Sequence, residues 1–106
     1  VIFSNINSIS EIQIQGHADI VNNDDLNLNL ASARAMAVYK FLQNVVGVDP
    51  ASCLMSITSF GKYKPVGREA GQQFDRAQLE AANKNDELRA KNRRIEIVLF
   101  YKNDKK

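Results

Sequence analysis

The segment Gly16–Ala35, GHADIVNNDDLNLNLASARA, joins a strand-like pattern to a helix-like one and carries the chain's single histidine, His17. Just upstream, Ile12 and Ile14 alternate with Glu11, Gln13 and Gln15. That two-residue period predicts a half-buried strand ending at Gly16. Downstream, VNNDDLN is a polar loop of residues that bond their own backbone. From Leu28 to Val46 the period changes. Leu30, Ala33, Ala37, Phe41 and Val45 recur at steps of three and four, with no Pro or Gly among them. A helix with that stripe inward is predicted, stopped by Gly47.

The remaining elements follow from the same reading. In VDPAS, Asp49 caps a very short helical turn with Pro50 at its first position. LMSITSFG alternates again and predicts a second strand closing at Gly61, with Cys53 half-buried just before it. A loop broken by Pro65, Gly67 and Gly71 comes next. Phe74 to Ala90 has helix-forming composition with a thin stripe of Phe74, Ala77, Ala81 and Leu88, predicting an exposed helix. RRIEIVLFY is the last strand, with Ile95, Ile97 and Leu99 on one face. VIFSNINSI reads as the last turn of a preceding helix, and KNDKK as a solvated tail. The class is α+β, a mixed sheet with helices packed on one face in a βαβαβ order. One domain over residues 1–101 is expected, with 67–91 an insertion or exposed helix and 102–106 the tail.

Composition excludes several functions. One cysteine among 106 residues allows no internal disulfide and no Cys-rich metal site. No run reaches the roughly 18 apolar residues that cross a bilayer. The chain starts at Val1 rather than Met and reads as an excised piece, so the missing leader says nothing about compartment. Charge is split: −3 up to Gly61 and +5 from Lys62 onward. Most of the basic half is a mixed-sign run that reads as solvated helix surface, with no nucleic-acid motif beside it. NNDD lacks the Gly and terminal Glu of a calcium loop. Neither metal nor cofactor is expected.

In order, the chain carries IQIQGHAD, then Asn27, LASARAMAVYKFL, ITSFGKYKP and KNRRIEIVL. This succession of G-H-x-D, an S-x-x-R-A-type helix segment, G-x-x-x-P and N-R-R resembles the OmpA-like C-terminal domain, from about Ser10 to Leu99. That domain is shared by outer-membrane porins, peptidoglycan-associated lipoproteins and MotB-type stator subunits. The resemblance implies non-covalent binding of peptidoglycan through the diaminopimelate of its stem peptide. Carried over by motif, Asp19 and Arg34 hold the ligand's zwitterionic end. Asn27 and Arg93 complete the contact, and Gly16, His17, Ala18 and Asn92 support it. It also implies a periplasmic domain tethered to the inner or outer membrane by residues outside the chain, with a homodimer as a further expectation. The long 67–91 segment and NRRIEIVL incline the reading to the stator-like branch.

The chemistry fits those residue types. An amino-acid end offers an ammonium and a carboxylate at fixed separation, so it needs an anion and a cation held on one rim. Arg suits the carboxylate because its planar fork donates two parallel hydrogen bonds. A helix N-terminus adds partial positive charge, and Asn27 can cap that helix or bond the ligand.

Departures from the family pattern are specific. Ala18 stands where many members have Thr. Ala31 replaces Ser, removing a possible cap. The family's first strand and helix are missing from the start. Two other readings are carried. One is an interaction domain of the same fold with a degenerate site, binding a protein partner through its basic second half. The other is a hydrolase pairing His17 with Asp19, although no second His or nearby nucleophile accompanies them.

Overall fold

A three-stranded sheet carries the structure. The computed structural model describes residues 8–69 and 71–102, so the expected helical turn at the start (1–7) and most of the tail (103–106) lie outside the described residues. β1 (Ile9–His17), β2 (Leu54–Ser59) and β3 (Arg94–Tyr101) lie in the order β2-β1-β3. β1 runs parallel to β2, from Glu11 opposite Leu54 to Gly16 opposite Ser59, and antiparallel to β3. Having neighbours on both edges and α1 on one face, β1 buries Ile12 and Ile14 completely. The architecture is therefore α+β, a mixed sheet with helices packed against it.

A parallel pair needs a crossover, and α1 (Asp24–Phe41) supplies it. The helix begins four residues before the apolar pattern does. Asn23 is the cap, its Oδ1 accepting from the Leu26 N–H at 2.8 Å, and Asp24 and Asp25 sit at the positive end of the helix dipole. Capping by Asn23 leaves Asn27 inside the helix, so Asn27 is not a cap. A π-helical turn over Leu42–Val46 prolongs α1 to Gly47, which takes φ 93°, a conformation that favours glycine.

The stripe expected to face inward faces solvent. Ala33, Ala37, Phe41 and Val45 are exposed, whereas Asn27, Ala31, Ala35 and Leu42 are buried. Gly16 explains the rotation. A Cβ on Gly16 would stand 2.0 Å from the Ala31 carbonyl oxygen, so the α1 backbone lies directly on the strand there. Only a face of small side chains permits that approach, and Ala31 and Ala35 provide it. Ala31 thus acts in the helix–sheet contact, not at a cap.

The chain then turns at Asp49, whose carbonyl accepts from Ser52 and Cys53 and whose Oδ1 accepts from Ala51. Cys53 is buried rather than half-buried, and burial pushes its thiol pKa up. After β2, the single helix expected over 74–90 is two: α2 (Arg76–Ala81) and α3 (Asp86–Asn92). Each has its own N-cap. Asp75 forms a reciprocal capping box with Gln78, and Asn85 accepts from Leu88 N–H. A second cap within the segment starts a new helix and ends the first. Leu79, Asn83 and Asn92 are the buried residues here; Ala77 and Ala81 of the expected stripe are exposed. In β3, Ile95 and Leu99 pack on the core, but Ile97 is 42% exposed because α1 covers β1 and β2 more than this edge strand. Among the described residues, no helix is long and apolar enough to cross a membrane.

Candidate functional site

β1 leaves the sheet through Ala18 and Asp19, and the exit is clamped to the end of β2. Ala18 N–H donates to the Gly61 carbonyl at 2.8 Å, and Phe60 N–H donates to the Gly16 carbonyl at 3.1 Å. This fixes the position of Asp19, which is 5% exposed. Its Oδ1 accepts from Val21 N–H at 3.0 Å, a local turn bond of the kind short acidic side chains make. Its Oδ2 accepts from Arg93 Nη1 at 2.6 Å. Burial pushes the Asp19 pKa up, but the Val21 bond, the Arg93 bond and the Arg93 charge outweigh it, and the net value lies below the ordinary carboxylate range.

A cavity of about 210 Å³ opens beside this pair, lined by Ala18, Asp19, Asn27, Leu30, Arg34 and Arg93 together with Val21 and Asn22. Arg34 reaches it from the third turn of α1. Arg34 is exposed and has no hydrogen bond or ion pair among the described residues. Asn27 is 1% exposed. Its Nδ2 donates to the Asn22 carbonyl at 2.9 Å, while its Oδ1 is buried without a partner among the described residues. The cavity therefore gathers two guanidinium groups, one carboxylate and one unused amide acceptor, a set that complements an amino acid's carboxylate and ammonium.

Other residues singled out in the sequence lie elsewhere. Gly16 seats α1, as described above. His17 is fully buried and faces away from Asp19's partners: its ring stacks on Phe60 (centroids 5.4 Å apart, 13° between planes) and its Nε2 is 3.3 Å from Gln15 Oε1. The sequence gives no hint of this partner; Gln15 and His17 share a sheet face only through strand alternation. Gln15 donates its amide N–H to Gln13, which leaves its oxygen facing the His17 ring. Burial first, then the Arg94 charge, lowers the His17 pKa to about 4.

Asn92 touches no ligand space. It ties the end of α3 to the loop after β2 and to the end of α2: Oδ1 accepts from Val66 N–H, and Nδ2 donates to the Ala82 carbonyl and to Asn83 Oδ1. Arg94 bonds Glu96 and the Lys64 carbonyl, on the side away from the cavity. So of N-R-R, only Arg93 reaches the cavity.

The family profile agrees with this frame. Residues 2–93 match that of the OmpA family. The chain belongs to the OmpA family. Among solved structures, it is similar to the peptidoglycan-associated lipoprotein from Burkholderia pseudomallei, at 34% identity and a TM-score of 0.58 over 84% of this chain. It spans about 61% of that structure's length. No curated protein matches the sequence. An OmpA-family fold accounts for the strand tip, crossover helix and N-R-R segment converging here.

Proposed function

We propose that this OmpA-family domain binds peptidoglycan and anchors an envelope protein to the cell wall, by gripping the diaminopimelate of the stem peptide. The observation that carries the reading is that Asp19, Arg34 and Arg93, distant in sequence, line one cavity. Arg34 takes the ligand carboxylate, with Arg93 held beside it by Asp19. The ammonium goes to the remaining lone pairs of Asp19 and to Asn27 Oδ1, whose burial without a partner costs about 1–3 kcal/mol until a donor arrives. The volume, about 210 Å³, fits a head group rather than a whole muropeptide. The similarity to a peptidoglycan-associated lipoprotein supports peptidoglycan as the polymer bound.

The geometry also speaks against the hydrolase reading that pairs His17 with Asp19. His17 is bonded to Gln15 and stacked on Phe60, while Asp19 is bonded to Arg93, so the two do not form a catalytic pair. A handful of charge-assisted bonds, each about 1.5–3 kcal/mol before ordering costs, gives millimolar to high-micromolar affinity per domain. A repeating wall polymer raises the effective hold when domains are paired. In this reading the domain sits in the periplasm, tethered by a membrane-attached parent; a stator-like parent is one form of it. Co-sedimentation with purified sacculi tests it: wild type pellets with the wall, and Arg34→Ala stays in the supernatant. A folded Arg34→Ala that pellets like wild type overturns the assignment.

A further inference from the structure

A second cavity is larger than the one beside Asp19. It has a volume of about 470 Å³ and lies at the same end of the parallel strands, under the loop that follows β2. Gln15, Phe60, Tyr63, Lys64, Arg68 and Glu69 line it. Since Gln15 shares a sheet face with His17 and alternates with the α1-facing Ile14 and Gly16, this cavity lies across the sheet from α1.

Its chemistry is specific. Lys64 and Arg68 stand against the single acid Glu69, leaving one excess positive charge. Arg68 is held in place: Nη1 donates to the Tyr63 carbonyl at 2.6 Å, Nε donates to the Gln72 carbonyl at 3.0 Å, and the guanidinium lies 5.3 Å from the Phe74 ring centroid. Nη2 has no acceptor among the described residues. Lys64 Nζ sits 5.6 Å from the Phe60 centroid and likewise makes no ion pair among the described residues. Phe60 is itself backed by the buried His17 ring. The floor is Gln15, 8% exposed, whose Nε2 spends one of its two hydrogens on Gln13. An apolar wall, one fixed guanidinium, a second cation beside it and a spare amide donor form a receptor for an organic carboxylate.

We infer that this cavity is a second ligand site, taking a carboxylate carried on a small organic body. Its source in the wall polymer rests on the peptidoglycan reading above, whereas its chemistry does not. Two sources present that group: the lactyl acid of an amino sugar stripped of its peptide and the C-terminus of a short D-peptide. The α1 residues Asn27, Leu30 and Arg34 line the Asp19 cavity and none of them lines this one, so the two sites are distinct. Two weak contacts on one polymer then act as a tighter one.

The test is an amide chemical-shift titration of the intact domain with N-acetylmuramic acid, D-alanyl-D-alanine, neutral N-acetylglucosamine and free diaminopimelate, each to 20 mM (on the order of the weak affinities expected). The expected result is saturable shifts at Phe60, Lys64 and Arg68 with at least one of the first two and none with N-acetylglucosamine. Which acid acts names the source. Lys64→Gln, checked for folding by circular dichroism, should weaken that binding at least fivefold and leave the diaminopimelate response at Asp19 and Arg34 intact. No response to either acid at these residues, an equal response to the neutral sugar, or unchanged affinity in Lys64→Gln overturns the second site. Loss of the diaminopimelate response alone overturns only the first.

Discussion

Asp19 and Arg93 are bonded at 2.6 Å across 74 residues of sequence, joining the tip of β1 to the residue that precedes β3. The Asp19 carboxylate is almost fully buried and the Arg93 guanidinium is 44% exposed, so one partner is fixed and the other open to a ligand. The pair thus both closes the sheet end and shapes the cavity. Removing either member leaves a different defect, and the variants can be told apart.

Asp19→Ala strands Arg93 and removes the acceptor of Val21 N–H. It should lose sacculus binding and about 1–3 kcal/mol of stability. Arg93→Ala leaves a buried carboxylate short of one partner and should destabilise by a comparable amount. A double-mutant cycle in urea checks it: the paired variant should cost clearly less than the two singles summed. Additive losses would show that the two groups do not couple.

Arg34→Ala separates binding from folding. The side chain is exposed and has no partner among the described residues, so stability should change by no more than about 0.5 kcal/mol while wall binding is lost. Urea midpoints and sacculus pull-down on one preparation check both halves.

Gly16→Ala introduces a Cβ 2.0 Å from a backbone oxygen that α1 cannot withdraw without lifting off the strand. A loss of about 1–3 kcal/mol or more is expected. Thermal unfolding checks it, and a midpoint equal to wild type would refute the close seating of α1.

Acid should weaken the fold in two windows. His17 has a folded pKa of about 4 against 6.5 for an unperturbed histidine, so between these values the unfolded chain holds more protons. Its contribution is therefore complete above about pH 6.5 and declines by about 3 kcal/mol as pH falls toward 4. Asp19 has a lowered pKa, so its contribution is present above 3.8 and is lost only below that. Urea melts from pH 7.5 to 3.5, with the imidazole resonance followed by NMR, check the order. A His17 that titrates near 6.5 in the folded protein would contradict the buried neutral ring.

Asn92→Ala should free the segment between β2 and β3 while sparing the sheet. Its three bonds reach Val66, Ala82 and Asn83. Hydrogen exchange should accelerate over residues 66–92, with β1 amides still protected.

The sequence by itself determined the order of strands and the main crossover helix, because the two-residue alternation of Ile12 and Ile14 and the uninterrupted helical stretch after the Asn/Asp loop are local signals. The motif order named the family and, with it, Asp19, Arg34, Asn27 and Arg93. Tertiary structure decided the rest. Which side of α1 is buried depended on Gly16 meeting Ala31 at van der Waals range, a contact between elements that periodicity of apolar residues does not encode. The split into α2 and α3 followed two competing caps. The hold of Asp19 on Arg93 arose from chain ends brought together by strand pairing. Local pattern sets each element's type through backbone preference and solvent exposure, but the partner of a buried charge is chosen only when the sheet closes.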